Sequence, residues 1–405
     1  MCGGLKRNVV VGQSGGPTCA INATLSGVVR GACGKVDKIF GMKNGILGLL
    51  QNNLIELNFL LDNKELLSSL ELTPSAVLGS CRFKLPSDFN SFVYQNIFEC
   101  LDRNNIGCVF YIGGNDSMDT VCKLNEYARE KSVDVSIIGI PKTIDNDLVM
   151  THHCPGYGSA AKYVATTVYE IARDVSVYDL PSVTVVEVMG RDAGWLGCAA
   201  GLSQYHFNKG SDLVYLPEKG FSLDAFLGDL ENLLRRKNNV LVSVCEGVSF
   251  KGGNSEKDPF GHKSLSGIGK VLESNVKNKI GCKARSIELN LPQRCAGHLV
   301  SRADILNSVR LGSAAVDVAL SGKSGEMVTF HVTEFASSGT LSYVEASLVA
   351  NKIRHVPTDF IEKGEKFITK KCVEYVSPLI EGEMNIRYEM GLPHHFDLGG
   401  YLCTE

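Results

Sequence analysis

Short apolar runs alternate with longer amphipathic stretches along most of the chain. Runs at 8–12, 108–112 and 136–140 are each followed by a helical pattern, at 18–32, 117–131 and 159–174. The alternation continues through 183–188, 193–202, 213–216, 223–236 and 240–245. Apolar runs this short and this continuous suit strands covered on both faces. Interleaved with helices, they predict an α/β fold built on mostly parallel sheets. Residues 252–261 are polar, glycine-rich and aperiodic, and read as a long exposed loop that forms an insertion or lid. After Phe330 the pattern weakens: 345–353 carries a helical signal, and the end, through His394, His395 and Gly399-Gly400, yields no assignment.

A chain of 405 residues exceeds what one core usually holds, so two domains are expected, interleaved or end to end. A formal charge of −3 and a pI of 6.3 remove the electrostatic case for a nucleic-acid partner. No stretch reaches the roughly 18 uninterrupted apolar residues of a membrane span. The fourteen cysteines show no C-x-x-C and no zinc-site spacing, and are expected as reduced, mostly buried thiols. The start carries Lys6 and Arg7 before a short valine run and a glycine-rich turn, which is no secretory apolar core, so a cytoplasmic location is expected.

The chemistry concentrates where strands end. Pro141-Lys142-Thr143-Ile144-Asp145-Asn146-Asp147 sets two carboxylates two residues apart after a strand, where an open parallel sheet binds ligands and a carboxylate can take a proton from a hydroxyl. If the segment is extended, Asp145 and Asp147 lie on one side. An Asx-rich turn without function is the competing reading. Gly113-Gly114-Asn115-Asp116-Ser117 also follows a strand: its glycines admit phosphate oxygens, and Asn115 or Asp116 offers oxygen to a hard cation. Asp116 or Ser117 would equally serve as a plain helix N-cap. Gly12-Gln13-Ser14-Gly15-Gly16-Pro17 presents a third such turn. At the next strand ends stand Met189-Gly190-Arg191-Asp192, where Arg191 suits a bidentate phosphate clamp, and Glu246, placed for sugar hydroxyls. Arg285 and Arg294, taken one at a time, read as surface residues.

Taken jointly and in order, six segments resemble the phosphofructokinase family: Ser14-Gly15-Gly16, Gly79-Ser80-Cys81-Arg82-Phe83, Gly113 to Ser117, Thr143 to Asp147, Val186 to Arg191, and Gln293-Arg294. The resemblance covers roughly residues 8–330. It implies two interleaved Rossmann-like domains: a larger one over 1–150, regained after about 300 and holding the donor phosphate, and a smaller one over 151–300 holding fructose 6-phosphate. Residues 331–405 form an unassigned extension. The resemblance further implies phosphoryl transfer to the 1-hydroxyl of fructose 6-phosphate, with Asp145 as base, Asp147 organising charge and metal, and Arg82 steadying the transferring group. By the same carry-over Thr143, Met189, Gly190, Arg191 and Glu246 contact the sugar phosphate, Arg294 faces its 6-phosphate, and Gly16 and Gly114 approach the donor. Mg2+ is the implied cofactor, with Asn115 as a candidate ligand. Arg285 matches an arginine that reaches a neighbouring subunit's site, which implies a homodimer or homotetramer.

Two positions bear on the donor. Where ATP-using relatives carry Gly-Gly-Asp-Gly, this chain has Gly-Gly-Asn-Asp, so Asp116 sets a negative side chain where a nucleotide phosphate would lie. Lys142 resembles the lysine that neutralises the leaving phosphate when the donor is pyrophosphate. The pair points to the pyrophosphate-using branch of the family. Asn115, Leu291 and Ser182 depart from residues common elsewhere in it. The alternatives are an ATP-dependent kinase with an unusual loop and a non-catalytic subunit that only binds sugar phosphate.

Overall fold

The computed structural model describes residues 7–249, 267–332, 339–362 and 367–399, together with two short strands between them. Strands β1 (Asn8–Gln13), β2 (Ile39–Met42), β3 (Leu54–Glu56), β4 (Ile106–Gly113) and β5 (Ser136–Pro141) begin a seven-stranded sheet. The chain then leaves it for a four-stranded sheet made of β6 (Ser182–Val188), β7 (Leu213–Tyr215), β8 (Asn239–Cys245) and, later, β11 (Lys283–Glu288). Between these, β9 (Glu256–Lys257) and β10 (Lys263–Ser264) pair only with each other. The helix Arg302–Leu320 carries the chain back, and β12 (Glu326–His331) and β13 (Thr340–Glu345) join the first sheet.

The first sheet runs β13-β12-β5-β4-β1-β2-β3 and the second β11-β6-β8-β7. Pairing is parallel throughout both, except β2 with β3 and β12 with β13. This is the α/β architecture that the apolar runs predict. Every residue of β1 and β4 is buried, as strands covered by helices on both faces must be. One core fills each face of the first sheet, and a separate core surrounds the second. No helix among the described residues is long and apolar enough to cross a membrane. The cysteines among them are free thiols, as expected.

Several boundaries differ from expectation, for local reasons. The helix expected from 117 spans Asn115–Glu130, capped by Gly114 without a side-chain bond, so neither Asp116 nor Ser117 is its N-cap. The helical signal at 193–202 resolves into Trp195–Ala200 and Leu202–Phe207, broken at Gly201. The helix expected at 345–353 does not form: β13 runs to Glu345 and only a short 3-10 turn, Ala346–Leu348, follows. Its apolar residues are buried in different places instead, Ala346 in the core beneath the first sheet and Val349 beside Met118 and Met327. The loop expected at 252–261 lies outside the described residues apart from Glu256–Lys257.

The extension without motifs is an integral part of the packing. Val356, Phe360, Ile361, Ile368 and the helix Lys370–Val376 are buried with the second sheet, whereas Phe396 and Leu398 are buried against the first. The last fifth of the chain therefore ties the two sheets together.

Candidate active site

Hydrogen bonds stitch three strand-end turns into one surface. Ser14 N–H donates to Ile112 O (2.9 Å), and Lys142 N–H to Gly113 O (2.9 Å). Ser80 Oγ donates to Gly15 O at 2.7 Å, which brings the segment carrying Arg82 against the first glycine turn. The two glycines of the second turn have different jobs. A side chain on Gly113 would overlap the hydroxyls of Ser14 and Ser117, so that glycine is demanded by packing. One on Gly114 would meet only Lys142 O, at 3.8 Å, so open space lies there for a ligand. The helix Asn115–Glu130 starts at this opening, and its first amides give it the positive end of a helix dipole.

Asn115 Oδ1 is buried there without a hydrogen-bond partner, an acceptor awaiting a donor or a cation. Asp116 follows on the same first turn, but its side chain is 64% exposed and pairs with Lys84 across 3.1 Å. It stands at the rim, and Lys84 shares its charge. No sequence motif flagged Lys84; its proximity follows from the fold of the segment after Arg82.

The acidic segment is not extended. Asn146 adopts a left-handed conformation (φ 52°), so Asp145 and Asp147 are related by a turn rather than by strand alternation. Asn146 is fully buried: its Oδ1 accepts from Cys154 N–H (3.0 Å) and its Nδ2 donates to Tyr375 Oη (2.8 Å). Thr143 Oγ1 accepts from Asp145 N–H at 3.1 Å and its side chain also bonds Asp147. The two acids nevertheless share one electrostatic site. Burial raises the Asp145 carboxyl well above its ordinary range, the charges of Asp147 and Glu246 raise it further, and Arg191 and Lys142 oppose them. Burial raises Asp147 as well.

Lys142 is buried (3% exposed) and its Nζ donates to Gly16 O at 2.6 Å, so it spans from the acidic segment to the first glycine turn. Burial, helped by the nearby Arg294, lowers its ammonium to about 8, against the pull of Asp145 and Asp147. A buried cation held mainly by a carbonyl is poised for an anion.

The second sheet closes the crevice from the other side. Glu246 N–H donates to Val188 O (2.9 Å) and Gly247 N–H to Gly190 O (3.1 Å), tying the turn after β8 to Met189-Gly190-Arg191 after β6. Buried Gln293 accepts from Met189 N–H at 3.1 Å and so links that turn to the helix Pro292–Cys295, which carries Arg294. The charges of Arg191 and Arg294 both act on Glu246, whose carboxyl burial raises. Arg294 also abuts the donor side: a side chain on Gly16 would come within 3.2 Å of its guanidinium, and its Nε is buried without a partner. It occupies the seam between the two halves.

Of the residues singled out from the sequence, Gly16, Gly114, Asn115, Lys142, Thr143, Asp145, Asp147, Met189, Gly190, Arg191, Glu246 and Arg294 are brought around this crevice. Asp116 and Arg82 lie at its exposed edge. Arg285 does not join them: it is exposed in the middle of β11, opposite Thr184, away from the carboxyl ends of the strands. Leu291 is 56% exposed. Reading the sequence missed Asn146 as the pivot of the acidic turn, and missed Arg354 and Tyr375, which bond it from behind; Asn146 flanked by two aspartates was the available signal.

No group of three or more histidine, cysteine or acidic side chains is arranged for a metal among the described residues. The oxygens at hand, the unpartnered Asn115 Oδ1 and the carboxylates of Asp145 and Asp147, are hard donors of the kind Mg2+ takes. They are too few to complete its shell, so they fit an ion that arrives with phosphate oxygens attached.

Comparison with known proteins gives a consistent picture. The family model "Phosphofructokinase" matches residues 8–319. The chain is 36% identical over 402 residues to the pyrophosphate–fructose 6-phosphate 1-phosphotransferase of Xanthomonas campestris pv. campestris, covering 96% of each. It is 33% identical to a sulfofructose kinase of Alkalicoccus urumqiensis over 89% of this chain and 93% of that one. Among solved structures, the pyrophosphate-dependent phosphofructokinase from Nitrosospira multiformis superposes with a TM-score of 0.88 at 34% identity, covering 96% of both chains.

Proposed function

The chain belongs to the phosphofructokinase family, and from that premise we propose that it transfers a phosphoryl group from pyrophosphate to the 1-hydroxyl of fructose 6-phosphate, reversibly, giving fructose 1,6-bisphosphate and orthophosphate. The observation that carries the reading is buried Lys142, held by Gly16 O between the first glycine turn and the acid pair. There it meets the phosphate that leaves when the donor's bridging P–O bond breaks. Asp145, its carboxyl raised by burial, takes the proton of the 1-hydroxyl as that oxygen bonds to phosphorus. Asp147 keeps the pair's charge in place. Arg191, Glu246, Thr143, Met189 and Gly190 hold the sugar phosphate from the second sheet. Arg294, at the seam, spans the 6-phosphate and the donor turn, and Arg82 closes over the transferring group.

The donor half comprises residues 1–150 with the return of the chain after about 300, and the sugar half residues 151–300. Mg2+ would be held by Asn115 and the acid pair together with donor phosphates, and would neutralise charge on the phosphoryl oxygens. The exposed position of Arg285 supports a homodimer or homotetramer in which it serves a neighbouring site. A cytoplasmic location fits a chain with these substrates.

Steady-state rates of the purified chain with fructose 6-phosphate and each donor test the reading. Turnover with pyrophosphate and kcat/KM at least about 100-fold lower with ATP are expected. Turnover with ATP alone would refute it. Sulfofructose as acceptor, run in parallel because of the sulfofructose kinase relative, is expected to react more slowly than fructose 6-phosphate.

A further inference from the structure

Arg354 lies in the extension, 207 positions after Asp147, in a stretch with no motif. Its guanidinium donates all five N–H groups to protein: Nε and one terminal nitrogen to Asn146 O (3.1 and 2.7 Å), the other terminal nitrogen to Thr151 O (2.7 Å) and His152 O, and the last hydrogen to Tyr375 Oη (3.2 Å). Its own backbone N–H donates to Asp147 O at 2.7 Å. The guanidinium stacks over Trp195, 4.6 Å from the ring centre, and the Trp195 indole N–H bonds Arg354 O at 2.9 Å. Tyr375 completes the frame by donating to His152 O (2.6 Å) while accepting from Asn146. Three carbonyls, that of the left-handed asparagine and those of Thr151 and His152 after it, are thus gathered onto one planar fork, backed by an aromatic ring. A lysine has too few donors and the wrong shape for this.

The hydrogen bonds of this web meet the acid pair at its backbone, and the charge of Arg354 also acts on the Asp147 carboxyl. Asparagine tolerates the left-handed conformation, so the local sequence permits the turn, and this web of hydrogen bonds holds it in one place. We propose that Arg354 is a positioning residue for phosphoryl transfer: with Trp195 and Tyr375, it fixes the Asn146 turn and thereby the direction in which the Asp145 carboxylate faces the acceptor hydroxyl. The inference rests on Asp145 acting as the base. It gives the extension a role in the chemistry, since Arg354 and Tyr375 both come from it and Trp195 from the second-sheet half.

The test uses Arg354→Ala, Arg354→Lys, Asp145→Ser, and Arg354→Ala combined with Asp145→Ser, each assayed with whichever donor the unaltered chain uses. Failure of pyrophosphate as donor then shows in the unaltered chain, while the ratios between variants remain readable. Misplacing a reacting group by about an ångström costs on the order of 100-fold, so Arg354→Ala should lose about 100-fold in kcat, with KM for fructose 6-phosphate within about threefold. Sub-denaturing guanidinium chloride should restore part of that rate, and sodium chloride of equal ionic strength should not. In the Asp145→Ser background the same substitution should cost less than about twofold, because the group it positions is gone. If Arg354→Ala does not fold, Arg354→Lys carries the test, with about tenfold lower kcat and restored melting behaviour expected. Single variants within about twofold of the unaltered chain, or an undiminished loss in the Asp145→Ser background, would overturn the proposal.

Discussion

Asp145 is a carboxylate in a place that disfavours its charge. Burial is the largest cause, followed by the negative charges of Asp147 and Glu246, with Arg191 and Lys142 pulling the other way. A base raised in this way holds its proton at a pH where an ordinary aspartate has lost it, so the acid limb of kcat/KM should lie well above the carboxylate range. Removing a negative neighbour must move that limb down. In Glu246→Gln the limb is therefore expected at lower pH than in the unaltered chain, whatever happens to substrate affinity, and a pH–rate profile of both proteins reads it directly; an unmoved limb would argue that another group titrates. At this scale the sequence was informative about types and order. The acids, Lys142 and Arg191 were legible because each follows an apolar strand. Asn146's left-handed turn was legible only as something asparagine tolerates, because the residues that bond it, Arg354 and Tyr375, lie more than 200 positions away.

At the scale of elements, strand ends and helix starts make the site, and the start of the helix Asn115–Glu130 bears on the choice of donor. Beginning two residues earlier than its apolar pattern indicated, it places Asn115 and Asp116 on its first turn, beside the open face of Gly114. The hydrophobic period fixes where a helix needs a core, not where its uncapped first turn begins. Asp116 is exposed with Lys84 at 3.1 Å, so opposition to a nucleotide there would come from charge and bulk at the rim and not from a rigid wall. Asp116→Gly should accordingly raise kcat/KM for ATP relative to pyrophosphate by about tenfold, short of a full switch, since Lys142 still favours the smaller donor. Donor-competition kinetics check this; an unchanged ratio would remove Asp116 from the account of donor choice.

For the whole molecule, two sheets face each other across the crevice and the last fifth of the chain binds them together. The alternation of strands and helices, the two-part organisation and the family were readable from pattern and motif, because parallel sheets write continuous apolar runs and their ligands sit at the strand ends. The extension was opaque because its function is distributed: single side chains such as Val356, Tyr375 and Leu398 are buried against partners far away in sequence, and leave no local period. Arg285 is exposed on the edge strand β11, outside the crevice. The measurement that reaches the central claim most directly is the reverse reaction followed by phosphorus NMR, with fructose 1,6-bisphosphate, Mg2+ and orthophosphate and no nucleotide present. A site that uses Lys142 to stabilise free phosphate as leaving group must accept free phosphate as attacking group, so a pyrophosphate resonance should grow as the 1-phosphate signal declines. A spectrum that stays unchanged until ADP is added, and then shows ATP, would contradict the account.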